Sequence, residues 1–220
     1  MRREWRGNQL RRLIRHYYDT ILVYGPASSP DALDILGWND LGIPIHHVGY
    51  VGQPIPADIP RDMPRDYLLV TPGGGADGFR VLATVADAIR QAPLPLATVM
   101  VTGPLMGRGE VEQLVSRTRG LDIVVEDFRT DMAAVIADAR AVVAMAGYNT
   151  VAELMMARKP ALLVPRVRPR EEQLVRATAL AGAGLTIVIP DGRVVQDDSP
   201  GELDDQPGLF RGVAGTALRA

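Results

Sequence analysis

From residue 66 onward the chain alternates short apolar runs with amphipathic stretches, and this rhythm limits its fold more than any other feature. The runs 67–71, 96–102, 121–125, 141–145, 161–164 and 185–189 are continuous and apolar, as expected of strands buried on both faces. Between them, 78–92, 109–117, 131–139, 151–158 and 171–181 carry apolar residues at helical spacing, for example Leu82, Val85, Ala86 and Ile89. Such alternation implies right-handed crossovers and a parallel sheet covered on both sides. The expected fold class is α/β: a doubly wound, six-stranded, Rossmann-like parallel sheet with strand order 3-2-1-4-5-6.

The first 65 residues lack that rhythm. Arg2, Arg3, Arg6, Arg11, Arg12 and Arg15 crowd the start, with Leu10, Leu13, Ile14 and Tyr17 at helical spacing among them. This reads as a solvated surface helix. Membrane contact would come only through it or through sequence preceding it. An apolar run at 20–25 has the look of a buried strand with nothing upstream to pair with, and 45–50 is a weaker strand candidate. These pieces cannot make a core, so residues 1–50 are expected to be the remnant of a preceding amino-terminal domain. Pro54, Pro56, Pro60 and Pro64 mark 51–65 as a semi-rigid linker. Residues 66–190 form the main domain, and 191–220 a polar tail.

Composition narrows the chemistry. Cysteine is absent, which excludes disulfides, thiol catalysis and thiolate-bound zinc. A net charge of −2 offers no basic footprint for nucleic acid. No apolar run is long enough to span a membrane, and no secretory signal is visible, so a cytoplasmic location is expected. The only lysine, Lys159, precedes Pro160, which excludes a Walker phosphate loop. His16, His46 and His47 all precede the main domain, and no metal-binding or triad motif occurs. No metal site is expected, and no catalytic base is assigned.

In the expected strand order the first and fourth strands flank the topological switch point, where ligands bind. The two least ordinary loops follow those strands. The first is Pro72-Gly73-Gly74-Gly75-Ala76-Asp77-Gly78, and the second Ala146-Gly147-Tyr148-Asn149-Thr150. Both lead into a helix start, where backbone N–H groups and the helix dipole favour an anion. Two such ends facing one crevice suit a diphosphate. The dipoles supply only ~0.3–1 kcal/mol each, so charge-assisted hydrogen bonds must provide much of the affinity.

Gly73, Gly75 and Gly78 fit G-x-G-x-x-G, which raises a dinucleotide site and an NAD(P)-dependent oxidoreductase. Against this, the second strand ends in Val101-Thr102-Gly103-Pro104, without the acidic residue that would hold a ribose. Thr150 and Glu153 are spaced as a capping box. Glu153 is thus either a cap or a carboxylate across a ribose diol. Glu172 and Gln173 are either hydrogen-bonding partners for sugar hydroxyls or an ordinary first helical turn. The arginines at 166, 168 and 170 either pair with phosphate or solvate a loop.

The segments Val125-Glu126-Asp127-Phe128-Arg129-Thr130-Asp131-Met132-Ala133-Ala134, Ala146-Gly147-Tyr148-Asn149-Thr150-Val151-Ala152-Glu153 and Pro160-Ala161-Leu162-Leu163-Val164-Pro165, with Glu172-Gln173, resemble the carboxyl-terminal domain of family 28 glycosyltransferases. The Gly-Tyr-Asn-Thr and Val-Pro-Arg-Val-Arg-Pro-Arg-Glu-Glu-Gln stretches are most similar to the predicted-glycosyltransferase group within it. The resemblance covers about residues 67–182. It implies the donor-binding half of a GT-B enzyme, a hexosyltransferase. A UDP-sugar is then the donor substrate, with no further cofactor, and the transferred group an N-acetylhexosamine passed without a metal to an unspecified acceptor hydroxyl. It further implies that the backbone around Phe128 and Arg129 meets the base. Gly147, Tyr148, Asn149 and Thr150 would surround the diphosphate beside Gly73, Gly74 and Gly75. Glu153 would hold the ribose, and Glu172 and Gln173 the sugar. Relatives often carry serine where this chain has Ala146, which removes one side-chain phosphate contact. The alternatives are a nucleotide-sugar binding module without activity, the oxidoreductase, and a nucleotide-sugar epimerase of similar architecture.

Overall fold

The computed structural model describes residues 8–25, 33, 41–56, 62–169, 171–182, 184 and 187–188. The expected tail at 191–220 and the arginines at 2, 3 and 6 lie outside the described residues.

The main sheet has six parallel strands: β3 (Tyr67–Thr71), β4 (Ala97–Val101), β5 (Ile123–Glu126), β6 (Ala141–Ala144), β7 (Ala161–Leu163) and β8 (Ile187–Val188). Their spatial order is β5-β4-β3-β6-β7-β8, which is the expected 3-2-1-4-5-6. β3 and β6 lie side by side at the centre, with Leu68 opposite Ala141 and Thr71 opposite Ala144. Every residue of both strands is buried, which explains why their sequences are apolar runs and not alternating patterns.

Helices cover both faces. On one, α2 (Phe79–Gln91) and α3 (Arg108–Arg117) contribute Val81, Leu82, Val85, Ile89 and Leu114 to a core with Leu68, Val70, Met100 and Leu162. On the other, α4 (Met132–Asp138), α5 (Tyr148–Ala157) and α6 (Glu172–Gly182) bring Val135, Ile136, Val151, Leu154, Ala177 and Leu180 against Tyr67, Leu69, Val99 and Leu163. Tyr67 is fully buried, and its hydroxyl is satisfied by donation to the Val135 carbonyl at 2.6 Å.

One boundary differs in a way that matters. α5 starts at Tyr148, with Gly147 as its N-cap, three residues earlier than periodicity suggests. Thr150 is therefore the third residue inside the helix, and Glu153 lies in its second turn. The capping-box reading of Thr150 and Glu153 is thereby corrected. Apolar periodicity marks where a helix meets the core; the polar first turn of α5 carries no such mark.

The amino-terminal segment is ordered against itself and against the main domain. α1 (Asn8–Tyr17) is followed by β1 (Ile21–Val23), which pairs in parallel with β2 (Ile45–His47), Ile21 opposite Ile45. The strand at 20–25 thus finds its partner downstream, in β2, and needs none upstream. The expected linker is also docked at its start. A side-chain carbon on Gly52 would come to 3.1 Å from Met156 Cγ and 3.4 Å from the Ala152 carbonyl on α5. At its other end, Asp62 pairs with Arg129.

Candidate functional site

The carboxyl ends of β3, β4 and β6 converge on one crevice. Gly73 and Gly75 adopt positive φ, 80° and 92°, which turns the chain sharply after β3. The Gly73 N–H donates to Thr71 Oγ1 at 3.2 Å. The loop after β4 packs backbone-to-backbone against this turn. Leu105 N–H donates to the Gly74 carbonyl at 2.9 Å, and a carbon on Gly103 would clash with the Gly73 carbonyl at 2.1 Å.

The loop after β6 reaches the same place. A carbon on Gly73 would sit 3.2 Å from Thr150 Oγ1. The first intrahelical bond of α5 runs from Val151 N–H to the Gly147 carbonyl at 3.0 Å. The amides of Tyr148, Asn149 and Thr150 precede it and have no acceptor within the helix. The two glycine loops therefore face one another at the switch point, with a helix start between them.

Glu153 is half-buried on α5 and makes no hydrogen bond or ion pair with any described residue. Burial raises its carboxyl above the usual carboxylate range. A carboxylate that is neither paired nor freely solvated has spare accepting capacity, as a ribose diol would need.

Phe128 is 58% exposed beyond β5, joined to the crevice through Asp127, whose carbonyl accepts from Gly103 N–H at 2.7 Å and Thr102 Oγ1 at 3.0 Å. The Arg129 side chain, by contrast, is fully engaged. It meets Asp131 through two bonds of 2.8 and 2.7 Å, Asp62 at 2.8 Å and Glu126 at 3.1 Å. Only its backbone remains for a ligand.

Glu172 and Gln173 are drawn into a local network. Glu172 Oε1 and Asp77 Oδ2 both accept from the Arg166 guanidinium, at 3.1 and 2.8 Å, while Gln173 Oε1 accepts from the Arg166 N–H at 3.0 Å. Of the two readings for the arginines after β7, Arg166 takes a third: it pairs with protein carboxylates. Tyr148 also points elsewhere. Its hydroxyl accepts from Val51 N–H at 2.7 Å, and its ring packs 6.0 Å from Tyr50 and 5.7 Å from Tyr24. Its side chain therefore anchors the amino-terminal segment, and its backbone belongs to the crevice.

Sequence reasoning missed Arg176, whose Nη1 donates to the Ala146 carbonyl at 2.6 Å behind the second glycine loop. Its spacing of four from Glu172 on one helix face was the available signal. Among the described residues no cluster of three or more His, Cys, Asp or Glu is arranged to hold a metal ion.

In a parallel doubly wound sheet the switch point, where the two glycine loops and the start of α5 meet here, is the usual place for a ligand. Comparison with known proteins gives the family. Residues 68–198 match the model of the glycosyltransferase family 28 C-terminal domain, and the chain belongs to that family. It is 31% identical over 188 residues to the UDP-N-acetylglucosamine--N-acetylmuramyl-(pentapeptide) pyrophosphoryl-undecaprenol N-acetylglucosamine transferase of Synechococcus sp., covering 84% of this chain and 48% of that protein. The chain thus spans about half the length of the curated relatives it matches. Among solved structures, Acinetobacter baumannii MurG superposes with a TM-score of 0.58 at 20% identity, covering 95% of this chain and 58% of the other. The calicheamicin glycosyltransferase CalG4 gives 0.54 at 17% identity, covering 96% and 50%. These likenesses establish the fold as that of the carboxyl-terminal half of a GT-B glycosyltransferase. No helix among the described residues is long and apolar enough to cross a membrane.

Proposed function

We propose that this chain is the donor-binding part of a hexosyltransferase that takes an N-acetylhexosamine from a UDP-sugar to an acceptor hydroxyl. The observation that carries the reading is the convergence of the Gly73–Gly75 turn and the start of α5, which brings Gly73 against Thr150 at the switch point. The family and the named activity of the Synechococcus relative support the same donor class. That relative's name also makes a pyrophosphoryl-undecaprenol-linked muramyl peptide the acceptor to try first.

In this reading the diphosphate lies across the amides of Tyr148, Asn149 and Thr150, flanked by the Gly73–Gly75 turn. The base lies along the backbone at Phe128 and Arg129, and Glu153 accepts from the ribose hydroxyls. Gln173 and Glu172 border the sugar, held in place by Arg166. When an acceptor hydroxyl attacks the anomeric carbon, the bond to the departing diphosphate breaks and negative charge grows on its oxygens. Fixed amides and the dipole of α5 stabilise that charge without reorganising. The stabilisation proposed needs no metal.

The test is calorimetric titration with UDP of the native chain and of E153A. UDP is expected to bind in the micromolar range, and E153A to weaken it by about tenfold, or 1.4 kcal/mol. A folded E153A with unchanged affinity would remove Glu153 from the site.

A further inference from the structure

We propose that Arg176 is a diphosphate contact: a cation held at the back of the second glycine loop that donates a charge-assisted hydrogen bond to the outer phosphate of the bound nucleoside diphosphate. The inference rests on the UDP-sugar reading above and adds a residue to it.

The argument begins with what Arg176 lacks. The half-buried Arg129 and Arg166 are surrounded by carboxylates, three and two respectively. Arg176 is also half-buried, yet no carboxylate forms a hydrogen bond or ion pair with it among the described residues; Glu172, one helical turn away, acts on it only at longer range. A desolvated cation without a directly bonded counter-charge is costly, and an anion that accepts from its free N–H groups lowers that cost. Burial lowers the affinity of this guanidinium for its proton, and the fields of Tyr50, Glu172 and Tyr148 offset that only in part.

Its placement is specific. Nη1 donates to the carbonyl of Ala146, one residue before the N-cap of α5, at 2.6 Å. The guanidinium lies 5.7 Å from the centre of the Tyr148 ring, and Tyr148 is itself fixed by Val51. These two contacts hold the plane of the group and use one of its five N–H bonds. The others are not sealed inside the protein: among the described residues the buried side-chain polar atoms without a partner are Thr98 Oγ1 and Arg166 Nε. Ala146 has no side-chain donor of its own, and the guanidinium bonded to its carbonyl comes from α6. A guanidinium offers the planar donor pair that phosphate oxygens accept.

The test is calorimetry with UDP, UMP and uridine on the full chain, comparing the native protein with R176Q and R176K, each checked for fold by urea denaturation. R176Q should weaken UDP by about tenfold while leaving uridine within about twofold. R176K, which keeps the charge but loses the fork, should fall between them for UDP and match the native chain for uridine. If folded R176Q or R176K binds UDP as tightly as the native chain, the proposal is overturned and the donor reading stands. If uridine weakens as much as UDP, Arg176 acts only by holding Ala146 and Tyr148, which also overturns it. Failure of the native chain to bind any of the three would instead overturn the donor reading.

Discussion

Arg166 Nη1 lies 2.8 Å from Asp77 Oδ2, an ion pair that joins the loop after β7 to the loop after β3 across 89 residues of sequence. The side chains are 27% and 42% exposed, so the pair in isolation is worth only ~0.2–1 kcal/mol. D77A should therefore lower unfolding free energy by no more than about 1 kcal/mol in urea. R166A also releases Glu172 and should cost more. Equal losses from the two variants would show that the Glu172 contact contributes nothing.

Glu153 predicts a pH signature. Its folded-state pKa is raised by burial, so the native state binds the proton more tightly than the unfolded chain does. Ionised Glu153 therefore costs stability above its folded pKa, and the cost vanishes as pH falls below the unfolded value of about 4.3. E153Q should be more stable than the native chain near pH 7, and the difference should close by about pH 4. The same substitution should weaken UDP. Urea midpoints across this range give the answer, and a gap that does not change with pH would contradict the desolvation of this carboxylate.

Arg129 is 12% exposed and serves Asp131, Asp62 and Glu126 at once. Removing the cation leaves three carboxylates crowded together. R129A should destabilise by about 3 kcal/mol, whereas D62A, at an exposed partner, should cost far less. The Asp131 carboxyl is held below its usual range by Arg129. Its stabilising share is present above the unfolded pKa and is lost as pH falls through the lowered folded one, so the native chain but not R129A should show this loss on acidification below about pH 4. Acid titration of both proteins followed by circular dichroism measures it.

Two glycines separate folding from binding. Gly103 has φ 88° and its substituent would lie 2.1 Å from the Gly73 carbonyl, so G103A must displace the first loop. Gly147 has φ −61° and open space around it. G147A should keep native stability within about 0.5 kcal/mol, while its methyl crowds the mouth of α5 and weakens UDP. G103A should lose both. Retained binding in G103A would mean that the first loop does not touch the ligand.

Much of this was legible in the sequence because burial on both faces writes continuous apolar runs. The six strands, their order and the pairing of the two glycine loops at the switch point all follow from that pattern. What escaped depends on where long side chains end. Tyr148 sits in the expected loop, yet its ring turns to Tyr50 and Val51. Arg166 and Asp77 meet only after the chain has crossed the sheet. The start of α5 is not legible from apolar spacing because its first turn is polar, and its true position removes the cap from the two readings of Glu153. Arg176 resembles any solvated helix arginine until its distance to Ala146 is known.

That the two glycine loops form one uridine diphosphate site is tested most directly by isothermal titration of the native chain with UDP, with NAD as the comparison. One UDP per chain at micromolar affinity, with no heat from NAD, is the predicted result. Absent UDP heat, or NAD binding as tightly as UDP, would contradict it.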